Sequence, residues 1–292
     1  MRAEVGLLTR NIRIQNGNPS KSAQDAFGCR VLVGHLEEDG LSFVGNAQIE
    51  GVEFDGCGQI GYTFTRDPRF ALAFLNTGRI LNSTSYVRKS TFHDGFNTGI
   101  GAFGVSGLSL EDNIVHYQVG HSVWMEGTGH VLRNNLAGVA LFPGLFQNAD
   151  QPENSDATAN FELAGAEDVR LYGNVAAGGQ RVGFHIKGEA CNRTEGEEAW
   201  SKNIAHSSLH CIQTRYTDGH SSGCALYNDF TVYSCHQFGL ITYSSAAVMV
   251  TNSQFSNNKA AFHANVIGPH ALDHSIAQKA CLLYTSPSPR DS

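Results

Sequence analysis

Charged residues are scarce in this chain, and what it lacks excludes several classes of protein. Asp, Glu, Lys and Arg make up 16% of the 292 residues, against about 25% in average soluble proteins. The 20 Lys and Arg are outnumbered by 27 Asp and Glu, and they form no basic cluster that would suit a phosphate backbone. The longest apolar runs, 70–75 and 246–250, are far shorter than the roughly 18 residues that a membrane-spanning helix needs. We therefore expect neither nucleic-acid binding nor a membrane span.

Glycine, by contrast, is abundant. The 32 glycines are about 11% of the chain, against roughly 7% in average proteins. Hydrophobic residues make up 41%, which is enough for a large core. No window of useful length keeps the i, i+3, i+4, i+7 spacing of an amphipathic helix. The composition favours a turn-rich, all-β domain.

The two ends of the chain stand apart from this pattern. The N-terminal residues lack the basic-then-apolar layout of a secretion signal, and we interpret Met1 as an internal start within a larger protein. Residues 281–292 resemble the translation of a sequencing adapter, with a natural Ser/Pro-rich linker as the alternative. We expect residues 1–280 to form one domain and residues 281–292 to be disordered.

A short polar residue followed by an apolar anchor recurs along the chain. Phe92, Ile114 and Leu136 are anchors 22 residues apart, and the later gaps of 39, 29, 28 and 23 residues equal about one such period plus insertions. A glycine six to eight residues after an anchor generally opens a second apolar segment. Two short strands per period are typical of a solenoid. The pattern predicts a right-handed parallel β-helix of the pectin-lyase-like type, with ~22-residue coils and loop insertions. The polar–apolar pairs are Asn113-Ile114, Asn135-Leu136, Asn174-Val175, Asn203-Ile204 and Gln254-Phe255, with Thr91-Phe92 and Thr231-Val232 as variants.

The recurring amide predicts a buried ladder. Equivalent residues of successive coils lie about 4.8 Å apart, so stacked asparagine side chains can hydrogen-bond to one another. An inward amide without such partners would be costly. The predicted ladder is Asn113, Asn135, Asn174 and Asn203. The predicted core row beside it is Phe92, Ile114, Leu136, Val175, Ile204 and Phe255.

Several stretches resemble the fibrocystin-L and fibrocystin family of large extracellular proteins. A more distant likeness extends to the cell-migration-inducing hyaluronan-binding family, in which a G8 domain precedes the β-helix. The resemblance implies an extracellular segment of a membrane-anchored surface protein and carries no catalytic residue across. The stretches are 4–12, 29–34, 91–96, 112–116 and 188–191.

Three short motifs match known sites, but their sequence context is that of strands. The dinucleotide-binding pattern at 99–104 and the nucleophile-elbow pattern at 219–223 both require a following helix, whereas strand-forming residues follow each. The pair His206 and His210 has zinc-site spacing without an intervening Glu or an evident third ligand. We predict no cofactor and no metal from these motifs.

The candidate chemical residues are Asp94 and His116. Each lies two residues beyond an anchor, so the 22-residue register would stack them, and a carboxylate beside an imidazole can orient it as a general base. His93, His121, Trp124 and Glu126 are near in sequence and could complete a saccharide-binding face. The alternative is that Asp94 and His116 only satisfy each other and the backbone, since no carboxylate cluster with Lys or Arg stands out.

Cysteines and glycosylation sequons favour the secretory route. We predict a disulfide between Cys191 and Cys224, with Cys29 and Cys57 as a weaker second pair and Cys235 as a buried free thiol. The sequons are at Asn82 and Asn192.

Two hypotheses for the function remain open. The first is a non-catalytic extracellular scaffold whose partner is a protein or a glycan, because solenoids offer extended binding surfaces. The second is a carbohydrate-active segment that acts on hyaluronan or another polysaccharide.

Overall fold

The computed structural model describes residues 4–18, 25–60, 67–81, 84–143, 158–191, 200–214, 224–244 and 247–266. Both sequons, the 219–223 motif and residues 281–292 lie outside these ranges. The described secondary structure consists of β-strands. The first nine strands are β1 (Ile12–Gln15), β2 (Val31–Glu38), β3 (Leu41–Val44), β4 (Gln48–Glu50), β5 (Val52–Asp55), β6 (Leu72–Arg79), β7 (Tyr86–Arg88), β8 (Thr91–Gly95) and β9 (Ile100–Ser106). The central strands are β10 (Ser109–Glu111), β11 (Ile114–Val119), β12 (Val123–Thr128), β13 (Val131–Arg133), β14 (Leu136–Leu141), β15 (Ala159–Glu162), β16 (Ala166–Glu167), β17 (Arg170–Tyr172), β18 (Val175–Ala177) and β19 (Val182–His185). The last strands are β20 (Glu189–Ala190), β21 (Asn203–His206), β22 (His210–Gln213), β23 (Cys224–Asn228), β24 (Phe230–Tyr233), β25 (Phe238–Ser244), β26 (Ala247–Thr251), β27 (Gln254–Ser256) and β28 (Ala260–Val266).

Three walls of stacked strands form a right-handed parallel β-helix, which confirms the predicted fold class. Sheet 1 has nine strands in the order β1-β5-β8-β11-β14-β18-β21-β24-β27, all paired in parallel. Sheet 2 runs from β28 through β25, β22, β19, β15, β12, β9 and β6 to β2, with β3 antiparallel at its end. Sheet 3 has the order β17-β13-β10-β7-β4, and β20, β23 and β26 form a separate three-stranded sheet in the last coils. One coil passes through sheets 3, 1 and 2 in turn, as β10, β11 and β12 do.

The core lies inside the three walls and consists of stacked rows of like residues. Phe54 and Phe92 stack with ring centroids 4.4 Å apart in sheet 1, and Phe161 and Phe184 stack at 4.8 Å in sheet 2. Parallel in-register pairing produces such rows, because it places equivalent side chains one strand spacing apart. The inward row of sheet 1 is Phe54, Phe92, Val115, Ala137, Ala176, Ala205 and Val232, all buried.

The predicted core row is wrong by one residue over four coils. Phe92 pairs with Val115, and Ile114 pairs with Thr91. Because successive strand residues face opposite sides, Ile114, Leu136, Val175 and Ile204 point outward and are only half-buried. The step from Phe92 to its true partner is 23 residues, so the assumed period of 22 shifted this alignment to the opposite face.

The four predicted asparagines lie in one buried ladder. The Nδ2 of Asn113 donates to Oδ1 of Asn135 at 3.0 Å, Asn135 donates to Asn174 at 2.9 Å, and Asn174 donates to Asn203 at 3.2 Å. Each Nδ2 also donates to a carbonyl in the sheet 3 strand of the previous coil, such as Leu110 O for Asn135 at 2.9 Å. Every rung is therefore satisfied although it is buried.

Within the described part of the chain, three disulfides link neighbouring coils. The structure pairs Cys191 with Cys224 and Cys29 with Cys57, with Cα atoms 5.7 Å and 4.4 Å apart. It also pairs Cys235 with Cys211, with Cα atoms 5.8 Å apart. The expectation of a free thiol at Cys235 is wrong, because adjacent coils bring the two buried sulfurs together.

Within the described ranges, no helix has the length and hydrophobicity required to cross a bilayer.

Candidate functional site: the outer face of sheet 1

An outward row of sheet 1 carries the chemistry-bearing side chains. Strand alternation puts this row one residue beyond the buried row, facing away from the core. Two small residues interrupt it in the middle, with imidazoles on either side. The row is Asp55, His93, His116, Gly138, Ala177, His206 and Tyr233.

The predicted stacking of Asp94 on His116 is wrong. The residue opposite His116 is His93, and Asp94 lies one position further along its strand. The same one-residue slip that displaced the core row explains this error. Asp94 instead contacts its own neighbour, since its Oδ2 is 2.7 Å from Nδ1 of His93.

His93 is the centre of a carboxylate cluster that the sequence did not reveal. Its Nε2 lies 3.3 Å from Oε1 of Glu53, and its Nδ1 lies 3.5 Å from Oδ1 of Asp55. Arg13 of β1 contacts Oδ2 of Asp55, and its Nε lies 3.0 Å from Oε1 of Glu53. Glu53 and His93 are buried, whereas the Asp94 side chain is 61% exposed. The cluster thus has a buried base and an open rim.

The N-terminal segment crosses the outer face of sheet 1. Oε2 of Glu4 lies 3.0 Å from Nε2 of His206. Further along, the Leu8 carbonyl accepts a hydrogen bond from the Thr91 hydroxyl, and the Arg10 N–H donates to Oε2 of Glu53 at 2.8 Å. These contacts run from β21 back to β5, so the segment lies across the strands before it enters the sheet as β1.

A cavity of about 380 Å³ lies between this segment and the sheet. It exists because Gly138 and Ala177 leave the middle of the outward row almost without side chains. His116 and His206 are three strand spacings apart, about 14 Å, and border it at either end. We call this cavity the sheet 1 groove. Its other lining residues include Glu4, Ile114, Leu136 and Val139.

His206 is fixed at one end of the groove. Tyr233 stacks on its ring with centroids 4.6 Å apart. Burial raises the pKa of Tyr233, and the nearby Glu4 carboxylate adds to this effect. The phenol therefore stays neutral and donates a hydrogen bond to the Glu4 carboxylate.

The remaining residues of the predicted saccharide face lie on sheet 2. His121 packs against Trp124 with ring centroids 4.9 Å apart. Oε2 of Glu162 is 2.6 Å from Nδ1 of His185 and 4.0 Å from Nδ1 of His121. Burial would raise the pKa of Glu162, but His185 and His121 lower it overall. One continuous face containing His93, Asp94, His116, His121, Trp124 and Glu126 does not form, because consecutive strands of a coil belong to different walls.

The structure also describes two of the three short motifs that match known sites. The 99–104 motif lies largely in β9, which leads into β10 rather than a helix. His206 ends β21 in sheet 1, whereas His210 begins β22 in sheet 2 and stacks on Phe238. Neither has the local structure that its motif requires.

The sequence motifs did not indicate five residues of these two clusters, namely Arg13, Glu53, Asp55, Glu162 and His185. The available signal was the alternation of Glu53 and Asp55 around Phe54 in a strand, which marks two outward carboxylates. Their nearness to His93 could be seen only after the long insertion between β5 and β8 had been aligned correctly.

Comparison with known proteins gives consistent matches. A family model described as the CEMIP beta-helix matches residues 34–225. Fibrocystin-L of Homo sapiens is 37% identical over 279 residues, which cover 95% of this chain and 6% of that protein. Fibrocystin of Mus musculus is 33% identical over 276 residues, with 94% and 6% covered. A G8 domain-containing protein of Dictyostelium discoideum is 26% identical over 272 residues, with 83% and 16% covered. The chain therefore spans only a small part of the length of these relatives.

Proposed function

Because the chain belongs to the CEMIP β-helix family, we propose that it is an extracellular segment of a fibrocystin-L-like cell-surface protein and serves as a rigid scaffold that binds a glycan. The observation that carries the proposal is the sheet 1 groove. Its mixture of imidazoles, one carboxylate and aliphatic walls suits a ligand with hydroxyl groups and apolar ring faces. The charged and titratable groups that line the groove are one carboxylate, Glu4, and two imidazoles, His116 and His206. This set gives no reason to prefer an acidic glycan over a neutral one.

The disulfides support the extracellular placement. Three bridges join neighbouring coils, and such bonds persist in oxidising compartments. They also cross-link neighbouring coils covalently, which suits a rigid scaffold.

A glycan array tests the proposal with a matched pair of variants. Ala177→Phe fills the groove, whereas Ser256→Phe adds the same side chain at an exposed position of the same outward row beyond it. We expect the first variant to weaken binding of neutral or acidic oligosaccharides by about 10-fold or more, and the second to bind like the unmodified chain. Equal binding by Ala177→Phe, or capture of a protein partner with no glycan bound, would contradict the proposal.

The carboxylate cluster favours a second candidate, a carbohydrate-degrading activity. Glycosidases use pairs of carboxyl groups, and Asp55 and Asp94 place ligand oxygens within 4.8 Å of each other. A reducing-end assay with hyaluronan and with pectin-like polymers tests it. Turnover that is abolished by Asp94→Asn or His116→Ala would replace the scaffold proposal with an enzymatic one. Absence of turnover in the unmodified chain would exclude these substrates.

A further inference from the structure

Three side chains of the carboxylate cluster converge on one point. Nδ1 of His93 and one carboxylate oxygen each of Asp55 and Asp94 lie within 4.8 Å of one another. The individual distances from Nδ1 are 2.7 Å to Asp94 and 3.5 Å to Asp55. Ligand atoms about 2.0–2.2 Å from one metal ion are separated by roughly 3 to 3.5 Å. The 3.5 Å contact already has this spacing, whereas the 2.7 Å contact is a hydrogen-bond distance that must open slightly to admit a cation.

A second layer of contacts orients two of these ligands. Glu53 is 3% exposed and faces Nε2 of His93 at 3.3 Å, so this carboxylate accepts a hydrogen bond when Nε2 carries the proton. In that tautomer the Nδ1 lone pair faces the two aspartates. A lone pair facing two carboxylates is repulsive unless a proton or a cation lies between them. Carboxylate–histidine–metal arrangements have this form.

Arg13 holds Asp55 without blocking the site. The guanidinium contacts Oδ2 of Asp55, whereas the oxygen that faces His93 is Oδ1. Glu53 is held by three donors: Arg13 Nε, the Arg10 N–H and His93. Three carboxylates and one guanidinium leave this group of contacting side chains with an excess of two negative charges when His93 is neutral, which a divalent cation would balance.

Among the residues that the structure describes, this ligand set occurs in one coil. In several coils the residue directly after the outward-row residue has a positive φ. Examples are Asp94, Tyr117, Val139 and Ser207, with φ values of 53°, 56°, 57° and 58°. The backbone geometry is therefore a property of the β-helix. Of these four positions only the one after His93 carries a carboxylate, and only there is the preceding outward residue flanked by Asp55.

We propose that Asp55, His93 and Asp94 bind a divalent transition-metal cation such as Zn²⁺ or Mn²⁺. One imidazole nitrogen and two carboxylate oxygens suit these ions, whereas Ca²⁺ prefers an all-oxygen site. Because Asp94 is at the exposed rim, further coordination positions face solvent. The proposal does not depend on glycan binding at the groove.

Titration of the metal-free, disulfide-intact chain tests the site. Isothermal calorimetry with Zn²⁺ and electron paramagnetic resonance with Mn²⁺ are expected to show one saturable site per chain, and Zn²⁺ is expected to raise the melting temperature by ligand linkage. Asp94→Asn and Asp55→Asn are each expected to raise the dissociation constant by about 100-fold. Glu53→Gln is expected to raise it by roughly 10-fold to 100-fold, because it removes an orienting partner and no ligand.

Asp112→Asn is the matched control. Asp112 also has a positive φ, at 54°, and it accepts a hydrogen bond from Asn134 at 3.1 Å. This variant is expected to bind both ions like the unmodified chain. Absence of saturable binding, or binding that survives in the Asp55→Asn/Asp94→Asn double variant with its circular dichroism unchanged, would overturn the proposal.

Discussion

At the residue scale, each ladder asparagine follows a residue in the left-handed backbone region. Asp112, Asn134, Gly173 and Lys202 have φ values of 54°, 51°, 64° and 56°. Asp, Asn and Gly accept this conformation readily, which explains the Asp-Asn, Asn-Asn and Gly-Asn pairs in the sequence. The turn places the next side chain inward, where only a group with both donor and acceptor can continue the ladder.

Removing one rung is expected to destabilise the fold. Asn135→Leu removes two donated bonds and leaves the Asn113 backbone N–H without its acceptor at Oδ1. We expect a loss of roughly 1 to 3 kcal/mol in the free energy of unfolding, measured by urea denaturation. Asn134→Gly, at the exposed neighbouring position, is the control and is expected to change stability by less than about 0.5 kcal/mol. Similar losses in both variants would argue against a buried ladder.

Buried histidines are expected to make stability depend on pH. Burial lowers the pKa of His121, His130 and His210 below the ordinary value. The unfolded chain therefore binds these protons first, so their contribution is fully present above about pH 6.5 and is lost as the pH falls below it. Urea denaturation between pH 7.5 and 5.5 should show decreasing stability at both low and high salt. A flat or rising profile would count against neutral buried imidazoles.

At the element scale, neighbouring residues of one strand differ because they face opposite sides. Val115 is 1% exposed and belongs to the buried row, whereas Ile114 lines the groove together with Gly6 of the N-terminal segment. The larger side chain therefore lies on the less buried side of β11. This inversion makes the pair a direct test of the register.

Alanine substitution at these two positions is expected to separate them. Val115→Ala leaves a cavity in the core and should cost about 2 kcal/mol in unfolding free energy. Ile114→Ala, although it removes more atoms, should cost about 1 kcal/mol or less. Denaturation of the two variants in parallel measures the difference. The reverse order would support the 22-residue alignment over the observed one.

At the scale of the whole molecule, the disulfides join neighbouring coils through cysteines 24 to 33 residues apart in sequence. Cys191 and Cys224 are separated by 33 residues, and Cys29 and Cys57 by 28. Each bridge restricts the unfolded chain more than it adds contacts to the folded one. The ladder, the aromatic stacks and these bridges all join one coil to the next along the axis of the β-helix.

Peptide mapping without reducing agent is expected to recover three linked pairs from secreted protein. They are Cys29–Cys57, Cys191–Cys224 and Cys211–Cys235. Replacing Cys191 and Cys224 together by serine should lower the free energy of unfolding by ~3 to 4 kcal/mol in the chain-entropy model. The comparison variant replaces Cys29 and Cys57 together by serine, so that each variant loses one bridge and leaves no unpaired cysteine behind. Free thiols at Cys191 and Cys224 would contradict this bridge and weaken the support that the disulfides give to the extracellular placement.

The sequence by itself determined the fold class, the positions of the ladder asparagines and the division into short strands, because these depend on local patterns that every coil repeats. Only the tertiary structure decided which residues of successive coils stand opposite one another. That register depends on insertions of different length between coils, and a one-residue error moves a side chain from the core to the surface. The cluster around His93 and the groove under the N-terminal segment depend on such contacts, between residues about 40 or 200 positions apart, so no local pattern could reveal them.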